Sequence, residues 1–265
     1  MVDAAGRLRD LHRDLTAEAA ALARVVDDLD PQQLSTPTPA DGWDVADQLS
    51  HLAAFDEHAV QAITDPQRFA IALDIALADG VDPIQVATER GRVLGPEETR
   101  DWWHRAVGEL DVAAAGLGSD VRVPWFGPDM SPMSFLTARL METWAHGQDV
   151  RDAVGAPPEV SDRLRHVADL GVRARPYSYG VRGMALPDAP VRVELDAPDG
   201  TTWTWGAPDA ADRVAGSALD WCLLVTQRRH RDDLALVVAG PVAEEWVGIA
   251  QAFAGGAGPG RPPLA

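Results

Sequence analysis

Up to Gly155-Ala-Pro157-Pro158 the apolar residues recur every three or four positions; beyond it alternating stretches appear among the helical ones. That change of period constrains the fold most, because a helix buries a stripe and a strand buries every second residue. The spacing predicts a helix over 3–28, with Leu8, Leu11, Leu15, Leu22, Val25 and Val26 on one face and Arg and Asp between them. A Pro/Thr-rich connector from Pro31 to Gly42 leads to Trp43 and a second helix over about 44–63. Asp44 can cap it, and Asp47 falls in its first turn, where negative charge is favoured. Val45, Leu49, Leu52 and Phe55 give it an apolar face. Pro66, Pro83 and Pro96 divide 64–95 into short helical pieces. A third long helix is expected over 97–116 and a fourth over 133–154, separated by a Gly/Pro-rich loop carrying Trp125 and Phe126. Four long helices with connectors predict an up-and-down bundle.

After the break, 161–174 reads as a helix, and Val191–Leu195, Asp199-Gly200 and Thr201–Trp205 read as a hairpin. A helix over 209–228, a short strand over 234–238 and a last helix over 242–254 complete the expectation. The fold class is therefore α+β: a four-helix bundle over 1–157, a small α+β domain over 158–255, and a flexible Gly/Pro-rich tail over 256–265.

Charge narrows the partners. There are 23 basic residues, all Arg, against 41 acidic ones, a net charge of −18 with His neutral. Such a surface repels phosphate backbones, so nucleic acid is excluded as a main partner. No apolar run reaches the roughly 20 residues that span a bilayer, and the N-terminus is charged and amphipathic rather than a leader. A cytoplasmic protein with a small-molecule partner and no membrane partner is the expectation. The single cysteine, Cys222, rules out an intrachain disulfide and a multi-thiolate zinc site. It lies in an apolar run, where a free thiol behaves as a small hydrophobe.

One constellation points to chemistry. Glu142 and His146 are four residues apart on a predicted helix and leave it on one face. With His51 from another helix they make three ligands with an open position, the arrangement of catalytic metals. Two imidazoles and a carboxylate suit zinc, and also nickel, iron(II) or manganese. Asp149, three residues after His146, is placed either to orient that imidazole or to stand solvated near the helix end. His58, seven residues after His51, is a candidate spare ligand, and Asp56 and Glu57 beside it favour exposure instead. Trp43, Trp102, Trp103, Trp125 and Trp144 suit an aromatic-walled pocket as well as a core.

Three stretches carry a resemblance. They are Pro37-Thr-Pro-Ala-Asp-Gly-Trp43-Asp-Val-Ala-Asp-Gln-Leu-Ser-His51-Leu, Glu142-Thr-Trp-Ala-His146-Gly-Gln-Asp149-Val and Gly216-Ser-Ala-Leu-Asp-Trp-Cys-Leu-Leu-Val-Thr-Gln-Arg228-Arg229. Together they resemble the DinB-like superfamily of metal-binding four-helix bundles and, more closely, the mycothiol-dependent maleylpyruvate isomerases of actinobacteria. The resemblance implies that His51, Glu142 and His146 hold a divalent metal, zinc foremost, with water or a thiol at the open position. It implies mycothiol, a low-molecular-weight thiol, as cosubstrate, and an arginine from the C-terminal domain near the site. Arg228 and Arg229 are the candidates; capping of their helix is the alternative reading. The hairpin 191–205 and the run Arg228-Arg-His-Arg-Asp-Asp233 depart from the isomerase pattern and leave the substrate open.

The expected function is a metal-dependent isomerase or thiol S-transferase acting on a small electrophile. A thiol-independent metal-assisted hydrolase, lyase or cyclase of secondary metabolism is the alternative enzyme, and a non-catalytic metal or small-molecule binder the alternative outside catalysis. No Ser-His-Asp signature, phosphate loop or dinucleotide fingerprint competes with these.

Overall fold

The computed structural model describes residues 4–258 and 260–264. Asp3 of the expected first helix, and Pro259 and Ala265 of the expected tail, lie outside the described residues. The chain divides into two compact units, one ending at Glu159 and the other starting at Val160.

The first unit is helical: α1 (Ala4–Val26), α2 (Pro31–Leu34), α3 (Val45–Thr64), α4 (Pro66–Ala78), α5 (Pro83–Leu94), α6 (Pro96–Ala115) and α7 (Pro132–Val154). Proline opens α4, α5, α6 and α7, where its missing N–H costs nothing. Asp44 and Asp47 form a reciprocal capping box at the start of α3. Ser131 caps α7, and Gly155 closes it in the left-handed conformation at φ +70°.

The long helices α1, α3, α6 and α7 make the bundle. Both α1 and α3 pack against both α6 and α7. The consecutive long helices α1 and α3 thus face each other across the bundle, which corrects the simple up-and-down arrangement. The long connector 27–44, with α2 packed on α3 and α6, makes this diagonal step possible. Leu22, Val26, Leu49, Leu52, Trp102, Trp103 and Val150 fill the centre. The pair α4–α5 lies on the outside of α3. At Gly91 of α5 an added Cβ would sit 2.6 Å from Ser50 Cβ, so only glycine permits this crossing.

The second unit holds α8 (Leu164–Arg173), α9 (Arg175–Gly180), β1 (Val191–Asp196), β2 (Thr202–Trp205), β3 (Asp212–Ser217), α10 (Ala218–Val225), β4 (Val237–Ala239) and α11 (Pro241–Val247). The sheet order is β2-β1-β3-β4, with β1 antiparallel to β2 and parallel to β3. The hairpin is present, Leu195 facing Trp203. The helix expected over 209–228 is corrected: 212–217 is β3, and helix begins only at Ala218. Asp212 and Val214 are buried in alternation with partly exposed Arg213 and Ala215, and Gly216 has φ +151°, outside any helix. The strand expected over 234–238 shifts to Val237–Ala239, and the last helix stops at Val247 rather than 254. Trp221 and Trp246 meet edge to face at 5.1 Å in this unit's core. No described helix is long and apolar enough to cross a membrane.

Candidate metal centre

The periodicity of α3 brings His51 inward about two turns after the Asp44 cap, while α7 presents Glu142 and His146 one turn apart. One donor atom from each of these three residues lies within 4.8 Å of the others, the only such group of three or more among the described residues. Glu142 Oε2 is 3.2 Å from His146 Nε2 and 3.8 Å from His51 Nε2. The two imidazole rings are 4.4 Å apart. Their side chains are largely buried, and that of Glu142 is 24% exposed, so the group opens to solvent on the carboxylate side.

A hydrogen-bond relay fixes the proton on His146. The Thr38 hydroxyl donates to the Trp43 carbonyl at 2.9 Å, which spends its proton. The oxygen of that hydroxyl therefore accepts from Gln48 Nε2, also at 2.9 Å. The remaining amide oxygen of Gln48 then faces His146 Nδ1 at 2.5 Å, and an acceptor there requires Nδ1 to carry the proton. In the neutral ring Nε2 keeps its lone pair and points it at a carboxylate. Two such groups at 3.2 Å need a proton or a metal ion between them.

The other donors fit the same reading. Burial by itself would raise the Glu142 carboxyl, but the hydrogen bonds and charge of His146 and His51 hold it well below the usual carboxylate range. His51 turns Nε2 toward the carboxylate, while its Nδ1 is buried with no hydrogen-bond partner among the described residues. The residues present suit a divalent cation with nitrogen and oxygen ligands.

Aromatic rings wall the group: Trp43 stacks over His146 at 6.0 Å, and Phe55 packs on His51 at 4.5 Å. The turn carrying Trp43 is clamped by Arg92 of α5. Its guanidinium donates to both Asp47 carboxylate oxygens, at 3.0 and 2.9 Å, and to the Gly42 carbonyl at 3.0 Å. Further along α3 and α7, Arg139 donates twice to Asp56, at 3.1 and 2.8 Å, with both side chains buried.

The other expected residues fall elsewhere. Gln48 meets His146 Nδ1, and Asp149 is 1% exposed rather than solvated at the helix end. His58 is half-buried among Phe55, Phe69 and Phe126, with Asp56 buried beside it, which corrects the expected exposure. Arg228 and Arg229 follow α10 in the second unit, where Arg228 donates to the Thr226 carbonyl and Arg229 to the Arg228 carbonyl, each at 2.7 Å. Gln48, Thr38 and Arg92 were not singled out in the sequence. Gln48 had one available signal, its position three residues before His51 on the same helix face.

Fold and site together define a helical-bundle protein with a His-Glu-His donor set, joined to a small mixed-sheet unit. Residues 15–151 match the family described as mycothiol maleylpyruvate isomerase N-terminal domain, and the chain belongs to that family. Residues 187–238 match a second family, described as wyosine base formation. An uncharacterised protein of Mycobacterium tuberculosis, found in two strains, is 43% identical over 94% of this chain and 96% of its own. The crystal structure of the mycothiol-dependent maleylpyruvate isomerase superposes with a TM-score of 0.59 at 18% identity, covering 88% of this chain and 96% of that one. A mutant of the same isomerase gives a TM-score of 0.57 over the same shares. At that identity the likeness is one of fold.

Proposed function

We propose that this protein is a divalent-metal enzyme, with zinc as the resident ion, that uses a low-molecular-weight thiol of the mycothiol kind to act on a small electrophilic substrate. The observation that carries the reading is the convergence of His51, Glu142 and His146 on one point, with the His146 proton committed to Gln48. When bound, the cation supplies the positive charge that lets a thiol lose its proton near neutral pH.

The residues of the chain do the rest. His51, Glu142 and His146 hold the ion, and Gln48 keeps the lone pair of His146 turned toward it. Trp43 and Phe55 keep water from the buried side of the site. The thiol comes from outside the chain, because Cys222 is buried and burial pushes it well above the ordinary thiol range. Arg228 or Arg229 is proposed to pair with a carboxylate of substrate or cosubstrate. A thiolate adds to an electron-poor double bond, permits rotation and leaves in an isomerase; in a transferase it stays on the product. Membership of the isomerase family favours the first outcome.

The test is zinc-loaded protein with a cis-unsaturated keto diacid, with and without mycothiol. Conversion that requires the thiol and disappears in His146→Ala supports the proposal. Conversion without thiol favours a hydrolase, lyase or cyclase, and substrate bound but recovered unchanged favours a binding protein. Arg228→Gln and Arg229→Gln, assayed alongside, identify the anion-binding arginine by a raised KM at unchanged metal content.

A further inference from the structure

A second cavity lies in the first unit, of about 220 Å³, between α3, α4, α5 and α6. It shares no lining residue with the donor triad or with Trp43 and Phe55. Phe69, Trp102 and Phe126 supply rings to its wall, and Trp125 stacks on Phe69 from outside at 5.7 Å.

The charged groups at its edge are already neutralised. Arg90 donates to both oxygens of Glu57, at 2.7 and 3.3 Å, and lies 3.8 Å over the Trp102 ring. The Trp102 indole N–H donates to the same carboxylate at 2.6 Å. An ionic ligand would therefore find no free opposite charge, and its desolvation would go uncompensated.

Two polar side chains in the wall remain unused. Neither His58 nor Gln61 makes a side-chain hydrogen bond to a described residue. His58 sits against Phe69 and Phe126 at 6.2 and 5.4 Å, and burial lowers its basicity, so at neutral pH it offers one N–H and one lone pair. A cavity of about 150 Å³ lined by apolar side chains accommodates benzene, so this one leaves room for a substituent.

We propose that this cavity binds a small uncharged aromatic molecule bearing one hydroxyl-type group, its ring among Phe69, Trp102 and Phe126 and its polar group hydrogen-bonded to His58. The cavity is distinct from the metal centre, and Phe55 stands between them, packed on His58 and Phe126 on one side and on His51 on the other. The rim is apolar, with Leu77 and Val86 64% and 51% exposed, and admits such a molecule from solvent.

Phenol, benzene and benzoate serve as probes, titrated into the full chain as purified and followed by tryptophan fluorescence and ligand-observed NMR. Phenol is expected to bind, with benzoate at least about tenfold weaker. His58→Phe keeps an aromatic ring while removing both nitrogens, and should weaken phenol about tenfold while leaving benzene within about twofold. Ala76→Phe, at a half-buried wall position, should abolish binding without changing metal content or helical circular dichroism; Ala72→Trp, at an exposed wall position, is the substitute if that variant fails to fold. Phenol bound equally well by the filled variant, or benzoate bound as tightly as phenol, overturns the proposal. Binding seen only on dilution below a self-association threshold seats a second copy in the cavity and overturns it equally.

Discussion

Gln48 on α3 and His146 on α7 meet at 2.5 Å, and this contact puts the imidazole proton on Nδ1, away from Glu142. Replacing the acceptor frees the ring to take the other tautomer. Gln48→Leu is expected to weaken metal binding about 10–100-fold, the usual effect of losing such a partner. Gln48→Glu keeps an acceptor on Nδ1 and should bind far closer to the parent. Competition with a chromogenic chelator measures both, and equal affinity in all three proteins would remove the role assigned to Gln48.

His51→Ala and His146→Ala each delete one of three donors. Elemental analysis of tag-free protein should find about one zinc, nickel or iron per chain in the parent and almost none in either variant. Undiminished metal in both would place the ion elsewhere.

Asp56 and Arg139 form an ion pair with only 2% of each residue exposed. Arg139→Met leaves the carboxylate buried and alone, and should cost about 3–5 kcal/mol by urea unfolding. Adding Asp56→Leu removes the stranded charge and should recover most of that loss. A single variant as stable as the parent would contradict this account of the pair.

Cys222 is fully buried, and burial pushes its thiol well above the ordinary range. It stays protonated at pH values where exposed cysteines begin to ionise, so the folded chain should not react with a chromogenic aromatic disulfide near pH 8. In denaturant one thiol per chain should appear. Rapid reaction of the native protein would show that residue to be accessible.

The helical half was legible because its signals are local. Prolines open α4 to α7, the Asp44–Asp47 box starts α3, and Gly155 ends α7. The diagonal placement of α1 and α3 was not legible, since it depends on which faces meet across the bundle. Strand β3 was missed for a related reason: its partner β1 pairs with it in parallel from across a hairpin. At the candidate site, the donor types and their four-residue spacing could be read directly. The Thr38–Gln48–His146 relay could not, because two of its links join residues 10 and 98 positions apart.

All three donors come from α3 and α7, inside the unit that ends at Glu159, and the two family matches, 15–151 and 187–238, fall on opposite sides of that boundary. The candidate donors and the sheet are thus described by different family matches. Likeness in the helical half therefore does not by itself fix a shared substrate.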